Sequence, residues 1–253
     1  MPKSITLVGN GKMALALAKG LCETHAIEVI GRSIAALESF ESSLGTSIKK
    51  TLYKDADISN KSVILCVKPA NLSEVAPSLK GRAQTLYSVL AGTTIAALNI
   101  IPADHYCRAM PNLAAEIALS MTTLVGDSAI SANALNLFST IGATLWLGSE
   151  KELDIATALA GSGPAYLAMI SEAFCDGAVR EGLKRDDAMT LMRGLFKGFG
   201  ALIQTTHPAL LKDAVMSPGG TTAAGYGAME KGKVREGCME AIHAAYNRAK
   251  EMK

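Results

Sequence analysis

Along the first half of the chain, short apolar runs alternate with segments in which apolar residues recur every three to four positions. Residues 4–8, 27–30, 63–67 and 85–90 are near-continuous stretches rich in Val, Ile and Leu, and Tyr106-Cys107-Arg108-Ala109-Met110 is a further β-like run. Such runs predict strands covered on both faces, as in a parallel sheet. Helical spacing over 15–22 and 131–141 falls between them, and the runs 120–125 and 143–147 predict two later strands that close the same sheet. Strands alternating with helices predict an α/β fold with a doubly wound sheet. After Gly148 the strand signals stop. From Glu150 to Glu251 the pattern is helical, punctuated by single Gly and Pro residues. A helix over 153–160 is interrupted or bent at Gly161-Ser162-Gly163-Pro164, and Tyr166, Ile170, Ala173, Phe174, Gly177 and Ala178 then share one face of the next. The chain therefore divides near residue 150, into an α/β domain over 1–150 and an all-helical domain over 151–253. The small residues on these helices, and more apolar helix surface than one chain of this size can cover, predict an intertwined dimer.

Composition narrows the partners. The 253 residues are 49% hydrophobic with a formal net charge of +2. No long basic run or interleaved aromatics points to nucleic acid or a membrane surface. No charged leader precedes the first strand, and no uninterrupted apolar stretch is expected to span a bilayer. Cys22, Cys66, Cys107, Cys175 and Cys238 are odd in number and scattered, which predicts reduced thiols in a cytoplasmic protein. The four histidines are also scattered, and neither their spacing nor any carboxylate cluster predicts a metal site. The expected ligands are small molecules.

Two stretches carry candidate chemistry. Gly9-Asn10-Gly11-Lys12-Met13-Ala14 lies directly after a strand and before a helix. In a dinucleotide site Gly9 permits the tight turn, Gly11 admits the pyrophosphate to bare backbone, and Ala14 lets the helix pack closely on the sheet. The second strand ends at Gly31-Arg32-Ser33, where a site selective for NAD would carry an acid; a cation and a hydroxyl suit the 2′-phosphate of NADP instead. Lys68 follows another strand, as a cofactor contact or as a surface lysine. The other stretch is Ser217-Pro218-Gly219-Gly220-Thr221-Thr222, which opens a helix. Bare backbone, helix-terminal amides and three hydroxyls make either a cradle for a small anion or an ordinary Gly-rich helix entry.

Taken together, the Gly turn with Met13 and Ala16, Val67-Lys68-Pro69, Ala91-Gly92, Met110-Pro111-Asn112, Gly161-Ser162-Gly163-Pro164-Ala165-Tyr166 and the 217–222 stretch resemble, in order and from end to end, the pyrroline-5-carboxylate reductase family. The tail residues Glu240, Ala241 and Arg248 also look like that family's final helix. The resemblance implies a Rossmann domain followed by a helical dimerisation domain, with dimers often assembling into decamers. It implies NADPH as cofactor, NADH more weakly, and reduction of the cyclic imine L-1-pyrroline-5-carboxylate to L-proline, the last step of proline biosynthesis. It gives Ser217 and Gly219, Gly220, Thr221 and Thr222 to the substrate carboxylate, with Ser217 and Thr222 as catalytic residues and Thr222 nearest the ring nitrogen. It gives the Gly turn, Arg32, Ser33, Val67, Lys68, Pro69, Ala91, Gly92 and Asn112 to the dinucleotide. Two positions depart from the family pattern: Leu113-Ala114 replaces Thr-Pro after Asn112, and Thr51–Lys54 lacks an Asn that relatives place near the cofactor. A β-hydroxyacid dehydrogenase shares the Gly turn but carries a lysine on the helix that here runs from Pro164 to Arg180 without one. An NADP-binding sensor would leave the cradle unexplained.

Overall fold

The computed structural model describes residues 3–252. Eight strands form one sheet: β1 (Lys3–Val8), β2 (His25–Gly31), β3 (Lys49–Leu52), β4 (Ser62–Leu65), β5 (Ala83–Ser88), β6 (Ala103–Met110), β7 (Ser120–Gly126) and β8 (Gly142–Trp146). Their spatial order is β3-β2-β1-β4-β5-β6-β7-β8. The first six are parallel, and β7 and β8 run together against them. The connecting helices are α1 (Lys12–Leu21), α2 (Ile34–Leu44), α3 (Leu72–Val75), α4 (Ile95–Leu98) and α5 (Ser131–Ser139). Alternation along each strand divides the apolar side chains between two cores. Leu7, Val29 and Ile64 pack with α1, α2 and α5, while Val8, Ile30, Val63 and Leu65 pack with α3 and α4. All seven are fully buried, which explains why their runs read as continuous apolar stretches.

β3 is absent from the apolar pattern. Its sequence, Lys49-Lys50-Thr51-Leu52, carries little apolar signal, and the strand exists as an edge held by Glu28 of β2. Glu28 is 6% exposed and accepts from Thr6 at 2.9 Å, Thr51 at 2.8 Å and Lys61 at 2.8 Å, with Lys49 at 3.0 Å. Burial works to raise its pKa, but Lys61, Thr51, Lys49 and Thr6 together outweigh it and hold the carboxyl at about 2, below its ordinary 4.5. A depressed carboxyl pKa stabilises the fold above the unfolded-state value, and that stability is lost as pH falls from about 4.5 through about 2. Glu28→Gln is thus expected to cost on the order of 3 kcal/mol at neutral pH and to flatten the fall in melting temperature between pH 5 and pH 2. Thermal scans across that range check it; an unchanged slope would remove Glu28 as the source.

Beyond the sheet lie α6 (Glu150–Ala156), a π-helical turn over Thr157–Gly161, α7 (Gly163–Arg180), α8 (Arg185–Leu202), α9 (Pro208–Val215), α10 (Thr221–Lys231) and α11 (Val234–Glu251). The chain forms two compact units, residues 1–162 with 244–253, and residues 163–243. The stretch 150–162, expected from sequence beyond the domain boundary, belongs to the sheet unit. Leu153, fully buried, packs there with Met110 and Val125. In the helical unit α7 meets α8 through Cys175 and Met189, whose sulfurs lie 3.6 Å apart. Among the described residues of 163–243 only Cys175 and Ala188 are buried. Leu167, Met169, Leu191, Leu195, Phe199 and Val215 are exposed, as are Ala173 and Phe174 on the face expected to be covered. By length and composition, Glu150–Arg180 is apolar enough to cross a membrane, contrary to the expectation that no stretch would be. Its Asp154, however, is an ion-pair partner of Arg108 inside the sheet unit.

Candidate functional site

The parallel strands bring the loops after β1, β2, β4, β5 and β6 to one sheet edge. The crossover from β3 back to β4, on the other side of β1, opens the crevice between β1 and β4 where doubly wound sheets hold dinucleotides. Gly9 sits in it with φ of +107°, and a Cβ there would lie 2.9 Å from the carbonyl oxygen of Cys66 in the loop after β4. Only glycine fits both constraints. Gly11, the residue preceding α1, has nothing within 4 Å of where a Cβ would be, and no side chain caps that helix. The start of α1 therefore carries neither a side-chain cap nor a side chain at Gly11, as close approach of a pyrophosphate requires. Asn10 donates to the Ala36 carbonyl at 3.4 Å, Lys12 is exposed, Met13 packs against the core and Ala14 is fully buried. The residues fit a dinucleotide: a bare turn, an uncapped helix and, at the next loop, a cation.

That cation is Arg32. It is exposed beyond β2, with Ser33 beside it capping α2 by accepting from the Ala36 amide at 3.3 Å. The pairing of Gly31 with Leu52 brings Tyr53 to the same edge. Burial pushes the Tyr53 hydroxyl above its ordinary pKa, while the Arg32 charge pulls it down and Glu74 pushes it up. Glu74 reaches this corner from α3 and pairs with Arg32 at 3.4 Å. No local pattern links residues so far apart in sequence.

Of the remaining predicted residues, Val67 packs against the core below the crevice. Lys68 is exposed and precedes a short turn over Pro69–Asn71. Ala91 is half-buried, whereas Gly92 is buried with φ of +70° and lies against Ala249 and Met252. Gly92 thus shapes the loop beneath the chain's last residues rather than offering surface. Asn112 is held on both polar atoms: Oδ1 accepts from the Ala114 amide at 3.0 Å, and Nδ2 donates to the Ala160 carbonyl at 3.1 Å. Its side chain ties the loop after β6 to the π-helical turn. Leu113, in place of the family's Thr, is 59% exposed.

Arg108 of β6 was not singled out by its sequence context. Its side chain is 1% exposed and donates to Glu150 Oε1 at 2.9 Å and Asp154 Oδ1 at 3.0 Å. Glu150 Oε1 also accepts from the Ile95 amide at 2.9 Å. One buried cation so fastens α6 to β6 and to the start of α4, just past Ala91-Gly92.

The helical unit carries the second candidate stretch. Gly219 has φ of +70°, and the Gly220 amide donates to the Ser217 carbonyl at 3.0 Å. A Cβ at Gly220 would lie 2.5 Å from Ser217 Oγ. The turn brings the Ser217 hydroxyl over the start of α10, whose first amides no side chain caps. Ser217, Thr221 and Thr222 are exposed. Helix-terminal amides, a favourable dipole and hydroxyls at the rim are the elements from which a small-anion site is built.

Comparison with known proteins matches two stretches of the chain to known families. Residues 150–252 match the family described as pyrroline-5-carboxylate reductase dimerisation, and residues 4–92 match NADP oxidoreductase coenzyme F420-dependent. The pyrroline-5-carboxylate reductase of Helicobacter pylori strain J99 is 33% identical over 94% of this chain and 96% of its own length. That of Synechocystis is 35% identical over 100% and 99%. Among solved structures, the Streptococcus pyogenes 1-pyrroline-5-carboxylate reductase superposes with a TM-score of 0.87 at 29% identity, covering 98% of each chain. The Plasmodium falciparum pyrroline carboxylate reductase with NADP bound gives 0.81 at 26%, covering 99% of this chain and 98% of the other.

Proposed function

The chain belongs to the pyrroline-5-carboxylate reductase family, and we propose that it reduces L-1-pyrroline-5-carboxylate to L-proline with NADPH, the last step of proline biosynthesis. The observation that carries this is the likeness along the full length of relatives of that name, joined to an uncapped, hydroxyl-rimmed cradle in this chain's own α10.

Bound NADPH supplies the hydride, which adds to the imine carbon as the C=N π pair moves to a nitrogen already protonated. A protonated imine is an electrophile, so the protein's task is orientation and charge placement rather than strong acid or base catalysis. Ser217 and Gly219–Thr222 hold the substrate carboxylate, and the Thr222 hydroxyl meets the ring nitrogen. Gly9–Ala14 receive the pyrophosphate and Arg32 with Ser33 the 2′-phosphate, which favours NADPH over NADH. Val67, Lys68 and Pro69, with Ala91, Gly92 and Asn112, shape the rest of the cofactor edge, Gly92 and Asn112 through the backbone they fix. Function divides at residue 150, the dinucleotide to its N-terminal side and substrate binding and dimerisation to the other. The deciding experiment incubates purified protein with NADPH and pyrroline-5-carboxylate and follows NADPH absorbance and proline formation. Cofactor binding without consumption would favour the sensor reading.

The protein is a cytoplasmic homodimer in this reading, and a mass measurement tests whether its dimers assemble into decamers. The support is the helical unit's exposed Leu, Met and Phe side chains, over a core of two buried residues among those described, and the match to a dimerisation family. Burying such surface contributes about 25 cal/mol per Å². Light scattering is expected to show dimers or multiples of them and no stable monomer. A dilute, fully active monomer would overturn the dimer.

A further inference from the structure

The acid missing from the end of β2 is present in space. Glu74, on α3, stands where the polypeptide has crossed to the other side of β1, yet both of its carboxylate oxygens lie 3.4 Å from Arg32 Nη2. Both side chains are open to solvent, at 62% and 65% exposure. The guanidinium can therefore turn to a ligand without breaking any buried contact. Tyr53, half-buried at the end of β3, feels both charges. The corner thus holds one cation, one anion and one phenol at the edge where an adenosine ribose would lie.

We propose that Glu74 is a specificity-determining residue that narrows the preference for NADPH over NADH by competing with the 2′-phosphate for Arg32. This rests on the reading of Arg32 as the phosphate partner. A dianionic phosphate must displace the carboxylate from the guanidinium. NADH carries a hydroxyl at that position and faces no such cost. The same acid, had it stood on the strand end, would serve NAD directly; delivered by α3 and neutralised by Arg32, it moderates a phosphate site instead. An exposed pair of this kind is a weak interaction, so the expected effect is a tuning of selectivity and not its reversal.

The test measures NADPH and NADH KM on the full-length enzyme for the wild type, E74Q, R32A and the double variant at low and high salt. E74Q is expected to lower the NADPH KM about two- to fivefold and to leave NADH within about twofold, with the gain shrinking as salt screens the pair. R32A is expected to raise the NADPH KM selectively, and E74Q added to R32A to change nothing further. If R32A is selective for NADPH but E74Q leaves both cofactors unchanged, the competition is absent while the phosphate reading stands. If E74Q tightens NADPH equally in the R32A background, Glu74 acts by direct repulsion and competition for Arg32 is overturned. Equal losses for both cofactors in R32A would overturn the phosphate reading and the competition with it. Unchanged melting temperatures, expected for two exposed side chains, keep these outcomes free of folding effects.

Discussion

Arg108→Ala is expected to lose on the order of 3–5 kcal/mol of stability, the cost of removing one partner from a buried ion pair. Arg108 is the largest fully buried side chain among the described residues, and its guanidinium faces two carboxylates of α6. The variant strips Asp154, 1% exposed, of its cation, whereas Glu150, with a side chain 30% exposed, can turn toward water. Lysine at 108 is a poor substitute, since a single ammonium cannot present the two-pronged fork that reaches both acids. A compensated variant, Arg108→Met with Asp154→Leu, is expected to recover much of the loss, because apolar replacement of both partners avoids a stranded charge. Urea unfolding at matched protein concentration checks this. A loss below about 1 kcal/mol for Arg108→Ala would show that the cluster contributes no more than an exposed pair does.

Thr222→Ala is expected to lower kcat by about ten- to a hundredfold, while NADPH affinity changes by less than about twofold. Removing a single donor from a site of developing charge costs up to about 2.7–4 kcal/mol in the strongest cases, and the upper part of that range applies to oxyanions. The ring nitrogen loses positive charge as the hydride arrives and becomes a better acceptor, so the hydroxyl contact strengthens along the reaction and its loss falls on turnover. Thr222 is exposed in the first turn of α10, so alanine removes the hydroxyl without opening a buried cavity. Thr222→Ser is expected to restore most of the rate. Steady-state kinetics with both substrates varied, alongside NADPH titration, separates the effects. Unchanged kcat and substrate KM in Thr222→Ala would remove the residue from the chemistry.

Much of this was legible along the chain. The turn at Gly9–Ala14 declares itself because a left-handed glycine and a helix start are settled within a few residues. The Gly-rich turn at 217–222 that opens α10 does so for the same reason. The central strands announce themselves because helices cover both of their faces. Met110-Pro111-Asn112 marks a loop at the sheet edge, and the structure adds that the Asn112 side chain accepts from the Ala114 amide and donates to the Ala160 carbonyl. A local motif marks where a loop is built, but not what its side chains will face.

The sequence by itself determined the α/β-then-helical order, the strands that carry an apolar pattern, the Gly turn and the Gly-rich entry to α10, since each depends on backbone preference and hydrophobic period over a short window. Only the tertiary structure decided β3, whose four residues become a strand because Glu28 gathers Lys49 and Thr51 across a neighbouring strand. It also decided the partners of Arg32 and Arg108, which lie 42 and 46 positions away at Glu74 and Asp154. The physical reason is that the Coulomb energy of a charge depends on spatial distance and burial, and strand order sets both.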